Sequence, residues 1–491
     1  DIGAYFSYDL QEGEVVEVQI GVSFVSTENA RMNLEAEQKG FNFDLVKDNA
    51  LDAWNEALSK VIAEGGTDDQ QTVFYTGLYH ALIHPNILND VNGEYPEMEG
   101  DDILKTGNNR YTVFSLWDTY RNVHQLLTLL YPEQQLDMVR SMVDMYKEGG
   151  WLPKWELYSR ETLTMEGDPA IPVIVDSWMK GLRDFDVETA YEAMYKSATT
   201  DGKDNFIRPD IDDYISKGYV PLNEEFDNSV SHALEYYIAD NSLSKFAKAL
   251  GKEADAKRFY NQSLNYKKYY SPEYGVFRPI LPNGEFLSPF NPKQGENFEA
   301  VPGFHEGSSW NYSFMVPHDV DGLIKMHGGK RRFINKLQEV FDDGHYDPTN
   351  EPNIGYPFLF SYVKGEEWRT QKTTQELLAE HFKNSTDGLP GNDDTGTMST
   401  WAVFNMMGFY PDNATDPSYT FTTPVFDRIT LNLDEFHYNG HSIEIETIRP
   451  TDDAVYIDKI EIDGKRFRNF RINHEELVKA NKITFYLKEK K

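Results

Sequence analysis

From about Leu51 to Met407, apolar residues return at i, i+3 or i+4 and i+7 in one stretch after another. The stretches are 51–62, 72–82, 115–130, 133–146, 169–181, 187–197, 229–250, 252–270, 319–326, 330–341, 366–382 and 397–407, with long Gly-, Pro- and Asp-rich loops between them. About a dozen helices so connected pack as six hairpins, so the expected fold is mainly α, an (α/α)6 toroid. No repeat of roughly 30 to 45 residues that would support TPR- or HEAT-type stacking is visible. From Thr420 the period becomes two, over 428–433, 442–446, 455–464 and 483–487, and the leading residues Val15 to Val22 alternate likewise. Strands are therefore expected at both ends, belonging to or packing on an N-terminal β-sandwich, or forming a small sheet docked on the helices. Two strands alone are marginal in water. Asp1 is accordingly expected to follow a cleavage or an upstream β-domain. The expected division is 1–40 as the end of a sandwich and linker, 41–415 as the helical catalytic domain and 416–491 as a β-rich segment.

Composition narrows the chemistry. The 491 residues carry 47 Lys+Arg against 81 Asp+Glu, a formal charge of −34, which repels phosphate backbones and anionic lipid surfaces. No apolar run approaches the roughly 20 residues of a membrane helix. Neither nucleic acid nor a membrane is an expected partner. With no cysteine, disulfides, thiolate zinc and cysteine nucleophiles are excluded. HExxH, GxSxG, Walker and GxGxxG motifs are missing too, which leaves carboxylates, His or bound ions to carry the chemistry.

Four loops concentrate Trp, Asp, Glu and Asn, as loops on a rigid scaffold do when they carry function. In Ser115-Leu-Trp-Asp-Thr-Tyr-Arg, Trp117 offers a stacking plate and Asp118 an acceptor for sugar hydroxyls. The plainer alternative makes Trp117 core and Asp118 a helix-dipole partner. Trp151 and Trp155, with Glu156 and Asp168 following, suit a polyol-binding pocket, although Asp168 ahead of Pro169 also reads as a helix cap. Glu306 stands in sequence among Phe304, Trp310, Tyr312 and Phe314, a setting that favours a protonated general acid or, alternatively, a structural acceptor for loop amides. Asp393 and Asp394 lie between glycines, one suited to activating water and the other to capping the helix that begins near Thr397. Asn350-Glu351-Pro352-Asn353 supplies only oxygen ligands, which suits Ca²⁺. Carboxylates on separate loops, stacking aromatics and an acidic cleft fit a glycosidase better than other enzyme classes.

The stretches SLWDTYRNVHQLL, GDPAIPVIVDSWMKG, HEGSSWNYSFMVPHD, NEPNIGYPFLFSYV, GLPGNDDTGTMSTWAVFNMMGFYP and VQIGVSFVSTENARMNLEAE resemble, in order and over essentially the whole chain, the bacterial α-mannosidases of glycoside hydrolase family 92. The resemblance implies an N-terminal β-sandwich ahead of an (α/α)6 catalytic domain. It also implies calcium-dependent, exo-acting hydrolysis of α-mannosides, commonly α-1,2, with inversion at the anomeric carbon. By the HEGSSW match Glu306 is expected to be the general acid, and by the GNDD match Asp394 the general base, with Asp393 as helper or second candidate. Asn392, between glycine and these two, has no basic group. Asn350 and Glu351 are expected at the calcium, which grips the sugar hydroxyls. Trp117 and Asp118 are expected to line the mannose subsite, with Trp155 and Glu156 bordering it. An inverting pair stands roughly 6.5–9.5 Å apart. The expected substrate is a mannose-containing oligosaccharide or glycoprotein glycan, and such substrates place the enzyme outside the cell or at its surface. The competing readings are a calcium-dependent carbohydrate-binding protein without turnover and another inverting α/α-toroid glycosidase.

Overall fold

A computed structural model describes residues 3–224 and 227–491. Asp1 and Ile2, which open the first expected segment, lie outside them.

Helices alternate in burial along the chain, and that alternation builds the ring. All eight residues of Val123–Leu130 and all eleven of Thr397–Met407 are buried, as are Ala170 to Ser177 of Ala170–Met179 and most of Ser229–Ala249. A helix apolar on every side must be covered on every side. The intervening helices Asp68–His80, Pro132–Gly149, Val187–Ser197, Glu253–Ser263, Lys330–Asp342 and Glu367–His381 bury one stripe each. Lys330–Asp342 is typical, with Phe333, Ile334, Leu337 and Val340 inward and Lys and Arg outward. The fold is thus the expected α/α toroid, with the first set as inner staves and the second as outer ones. Two inner positions are reduced to the single turn Ser309–Tyr312 and the 3-10 segment Tyr356–Tyr362.

The ring closes where Thr397–Met407 packs on Asp68–His80. Gly77 permits the approach, since a Cβ there would meet Val403 Cγ2 at 3.1 Å and Ser399 O at 3.3 Å. Gly396, at φ +91°, starts the closing helix, and a Cβ there would meet Ala81 Cα at 2.9 Å.

The C-terminal strands form a six-stranded sheet in the order Val61–Glu64, Arg428–Asn432, Ser442–Ile448, Lys482–Lys488, Tyr456–Ile462, Lys465–Phe467. Ser442–Ile448 and Lys482–Lys488 run parallel and the other neighbours antiparallel. Its inward face carries Ile429, Leu431, Ile443, Ile445, Ile483 and Phe485, and it docks on Glu367–His381.

Three expectations change. Residues 51–62 are not one helix: Phe43–Leu58 ends at Ser59, and Val61–Glu64 becomes the sheet's edge strand. The stretch 115–130 breaks into Leu116–Thr119 and Val123–Leu130 because Asn122, at φ −158°, leaves the helix and donates to Thr397 O and Tyr410 Oη. The alternating residues Val15 to Val22 pair with no strand among the described residues. Instead the leading segment leads into Thr27–Glu37, where Ser26 caps the helix and Asn29 and Asn33 bind Asp90.

Candidate active site

Residues from five loops meet at one end of the ring because each precedes, or opens, an inner stave. Asp118 lies in the Leu116–Thr119 turn, Glu166 ahead of Ala170–Met179, His305 and Glu306 ahead of Ser309–Tyr312, Glu351 ahead of Tyr356–Tyr362, and Asp393 and Asp394 ahead of Thr397–Met407. Helix N-termini favour negative charge, so the scaffold tolerates acids gathered there.

Asp118 sits at the centre. It is buried, accepts a hydrogen bond from Ser115 Oγ, and is pushed up to about 7 by burial and by the charges of Asp394 and Glu306, against the Ser115 hydroxyl and the Arg121 cation. Glu351 is buried beside it. Burial, then the Asp118 and Asp394 charges and a hydrogen bond shared with Asp394, hold its carboxyl well above the ordinary range. Arg121 balances part of this charge: it pairs with Glu235 at 2.8 Å and lies over the Trp117 ring at 5.0 Å. Trp117 is itself buried, so it supports the pocket floor more than it offers an open stacking face.

Glu306 differs from its expected setting. The aromatic residues beside it in sequence turn into the core, and its own side chain is 42 % exposed. Its carbonyl accepts from Asn350 Nδ2, which ties the HEGSSW loop to the NEP loop. Both Glu306 and Asp394 stand at φ +46°, and Thr395 follows at +53°. Non-glycine residues avoid this region, and such strain concentrates where side-chain aim is under functional demand.

The two neighbouring aspartates separate. Asp393 Oδ1 accepts from Ser399 N at 2.8 Å, its carbonyl accepts from Gly396 and Met398 N, and Oδ2 lies 3.4 Å from His80 Nδ1. It holds the start of the closing helix, while the Asp394 charge falls on Asp118 and Glu351.

Glu156 does not border the cleft. Its strand, Trp155–Leu157, pairs Ser115 with Trp155 and Phe114 with Glu156, and successive side chains of a strand point to opposite faces. Trp155 is half-buried on the side of Ser115, and Glu156 is fully buried on the other, accepting from Thr112 Oγ1 at 2.8 Å and from Val113 and Ser159 N. Asp168 is likewise structural: it takes Arg208 Nε at 2.9 Å and Ser197 Oγ at 2.6 Å, and Arg208 continues to Asp240 at 2.9 Å.

The NEP residues fit a hard cation. Asn350 Oδ1 and Glu351 Oε1 are buried oxygens with no hydrogen-bond partner among the described residues, and buried polar atoms are normally satisfied by protein, water or an ion. Such a donor set is all oxygen, as Ca²⁺ prefers. Among the described residues no three His, Cys, Asp or Glu side chains stand at metal-ligand spacing. Asn353 is buried as a brace: its amide bridges the backbone of Asp347 and Asn350 and receives the Asn311 amide.

The sequence profile of the glycosyl hydrolase family 92 catalytic domain matches residues 29–489. The chain belongs to glycoside hydrolase family 92. Among solved structures of the family, it is similar to a GH92 α-mannosidase of Bacteroides thetaiotaomicron, with a TM-score of 0.88 and 33 % identity over 95 % of this chain and 62 % of that one. The same enzyme has been solved in complex with mannoimidazole. A GH92 inverting mannosidase of Bacteroides thetaiotaomicron VPI-5482 gives a TM-score of 0.88 at 30 % identity, over 95 % of this chain and 66 % of that one. An uncharacterized secreted glycosidase of Arthroderma benhamiae is 26 % identical over 96 % of this chain and 60 % of its own length. The chain thus spans about three-fifths of the length of these relatives.

Of the residues singled out in the sequence, Asp118, Glu306, Glu351 and Asp394 share one electrostatic neighbourhood, while Glu156 and Asp168 are held elsewhere. Sequence reading missed Glu166, His232, Arg121 and Glu235. Glu166 adjoined Asp168 in a stretch already under scrutiny, and Arg121 closed the Ser115 motif. His232 and Glu235 lie in a long buried helix with no local signal.

Proposed function

We propose that this chain is the catalytic part of an exo-acting, inverting α-mannosidase that removes terminal mannose from mannose-containing oligosaccharides or glycoprotein glycans, α-1,2 linkages being the first to test. The observation that carries the reading is the placing of Glu306 and Asp394 on two strained loops, both within the field of buried Asp118. An inhibitor complex and an inverting enzyme among the similar structures support the same substrate and stereochemistry.

Glu306, exposed towards solvent, is the general acid. It protonates the glycosidic oxygen as the bond to the anomeric carbon breaks, and the bonding electrons leave with that oxygen. Asp394 is the general base and takes a proton from the water that attacks the opposite face, so the released mannose has the β configuration. Asp118 accepts sugar hydroxyls within the subsite, and Trp117 and Trp155 shape its walls. Asn350 and Glu351 would hold the calcium ion. When bound, that ion supplies positive charge that orients the sugar hydroxyls and offsets the acid cluster. The chemistry of the substrate, and the description of the Arthroderma benhamiae relative as secreted, support a location outside the cell or at its surface.

The test is substitution. Glu306→Gln and Asp394→Asn are each expected to lower kcat on α-mannobiose by about 1000-fold while mannose binding and folding persist. Retention of near-wild-type turnover by either variant would remove that residue from its role. EDTA should abolish turnover and added calcium should restore it; full activity in EDTA would exclude the metal.

A further inference from the structure

Behind Glu306 stands a file of groups that the reaction above leaves unused. His305 Nε2 lies 3.8 Å from Glu306 Oε2, and His305 Nδ1 lies 3.2 Å from Glu166 Oε1. Glu166 is almost wholly buried and is anchored on its far side by His232, which also binds Asp210 at 2.7 Å. The His305 ring is closely held. Its backbone N–H donates to Ser231 Oγ at 2.9 Å, its carbonyl accepts from Tyr312 Oη at 2.6 Å, and Trp117 meets it edge-on with centroids 6.1 Å apart.

The hydrogen-bond network selects the tautomer. The Asn228 amide nitrogen donates to Glu166 Oε1 at 3.0 Å and stands 3.0 Å from His305 Nδ1. Assigned so that each amide hydrogen serves one acceptor, Nδ1 accepts and the ring hydrogen lies on Nε2, with the amide between the Nδ1 lone pair and Glu166 Oε1, which are 3.2 Å apart. That Nε2–H faces Met165 Sδ at 3.2 Å and Glu306 Oε2 beyond it. Thioether sulfur is a weak acceptor and a carboxyl oxygen a strong one, so a small rotation exchanges the first for the second.

We propose that His305, held at Nδ1 by the Asn228 amide, is a positioning residue for the general acid. With substrate bound, Nε2–H donates to Glu306 Oε2. This fixes the plane of the carboxyl and leaves Oε1 as the oxygen that carries the proton. The Oε1 proton passes to the glycosidic oxygen as the anomeric C–O bond breaks, the electron pair leaves with that oxygen, and the carboxylate left on Glu306 keeps its hydrogen bond from Nε2. Nε2 and Oε2 stand 3.8 Å apart, and catalytic hydrogen bonds tighten in the substrate complex. The inference rests on the reading of Glu306 as the acid.

The test compares two substrates that differ in their need for that proton: an α-mannobiose, and 2,4-dinitrophenyl α-mannoside, whose leaving group departs unprotonated. In His305→Ala the ratio of kcat on the dinitrophenyl substrate to kcat on the disaccharide is expected to rise about 30-fold over wild type, with KM for each within about threefold. Equal loss on both substrates, no loss on either, or a rise confined to KM would overturn the proposal. Wild-type protein inactive on both would instead overturn the mannosidase reading on which it depends. Should thermal melting show that His305→Ala does not fold, His305→Phe, which fills the space and cannot donate, decides by the same ratio.

Discussion

A fully buried carboxylate survives only if its surroundings replace the water it has lost, and Glu156 meets that demand with the Thr112 hydroxyl and two backbone N–H groups. Burial still outweighs these donors and pushes it up to about 7. The folded protein therefore holds a proton at pH 5–6 that the unfolded chain, titrating near 4.5, has largely released. Its contribution to stability is present at low pH and is lost as pH rises through about 7. In Glu156→Gln, which does not titrate, the fall in Tm between pH 5 and pH 7.5 should be smaller than in wild type, and KM for mannosides should stay within about twofold. A large KM increase without a change in the Tm profile would return Glu156 to the substrate. The sequence placed Glu156 beside Trp155 in a pocket, but in a strand neighbours face apart, and sequence adjacency is a poor guide to a shared face. The same limit applies to Glu306, whose aromatic neighbours turned inward. The GNDD stretch left open which aspartate caps the closing helix, and the structure gives that role to Asp393. His305 and Glu166 were not legible as a pair, since 139 positions of chain separate them and only the fold closes the gap to 3.2 Å.

At the scale of elements, helix existence was clear from periodicity, and boundaries at Val187–Ser197 and Thr397–Met407 agree with it. Periodicity failed where tertiary partners decided the outcome. Val61–Glu64 continues an apolar helical pattern yet forms a strand because Arg428–Asn432 offers it a ladder from the far end of the chain. The break at Asn122 depends on acceptors near position 400 and at Tyr410. Ring closure makes a prediction of its own. Gly77→Val would place branched carbons against Val403 and Ser399, where a single Cβ already meets atoms at 3.1 and 3.3 Å. Overpacking of that kind costs about 1–3 kcal/mol. Chemical denaturation should show a destabilisation of that size; unchanged stability would mean that the two helices move apart freely and that this contact does not close the ring.

Over the whole molecule, buried inner staves and one-sided outer staves give a ring whose inner helix N-termini meet at one end, and the loops entering them carry the acids. That arrangement was foreseeable from the number of helices and their hairpin connections. The convergence of Asp118, Glu351, Asp394 and Glu306 was foreseeable only through the family resemblance, because four separate loops contribute. The reaction inferred from it has a stereochemical signature independent of any substitution. The deciding measurement is proton NMR of the first mannose released from an α-mannobiose in the presence of calcium, recorded before mutarotation mixes the anomers. The account predicts β-mannose in the earliest spectra, with the α anomer growing later. Initial release of α-mannose would mean retention, and Asp394 could not then be a general base acting on water from the opposite face.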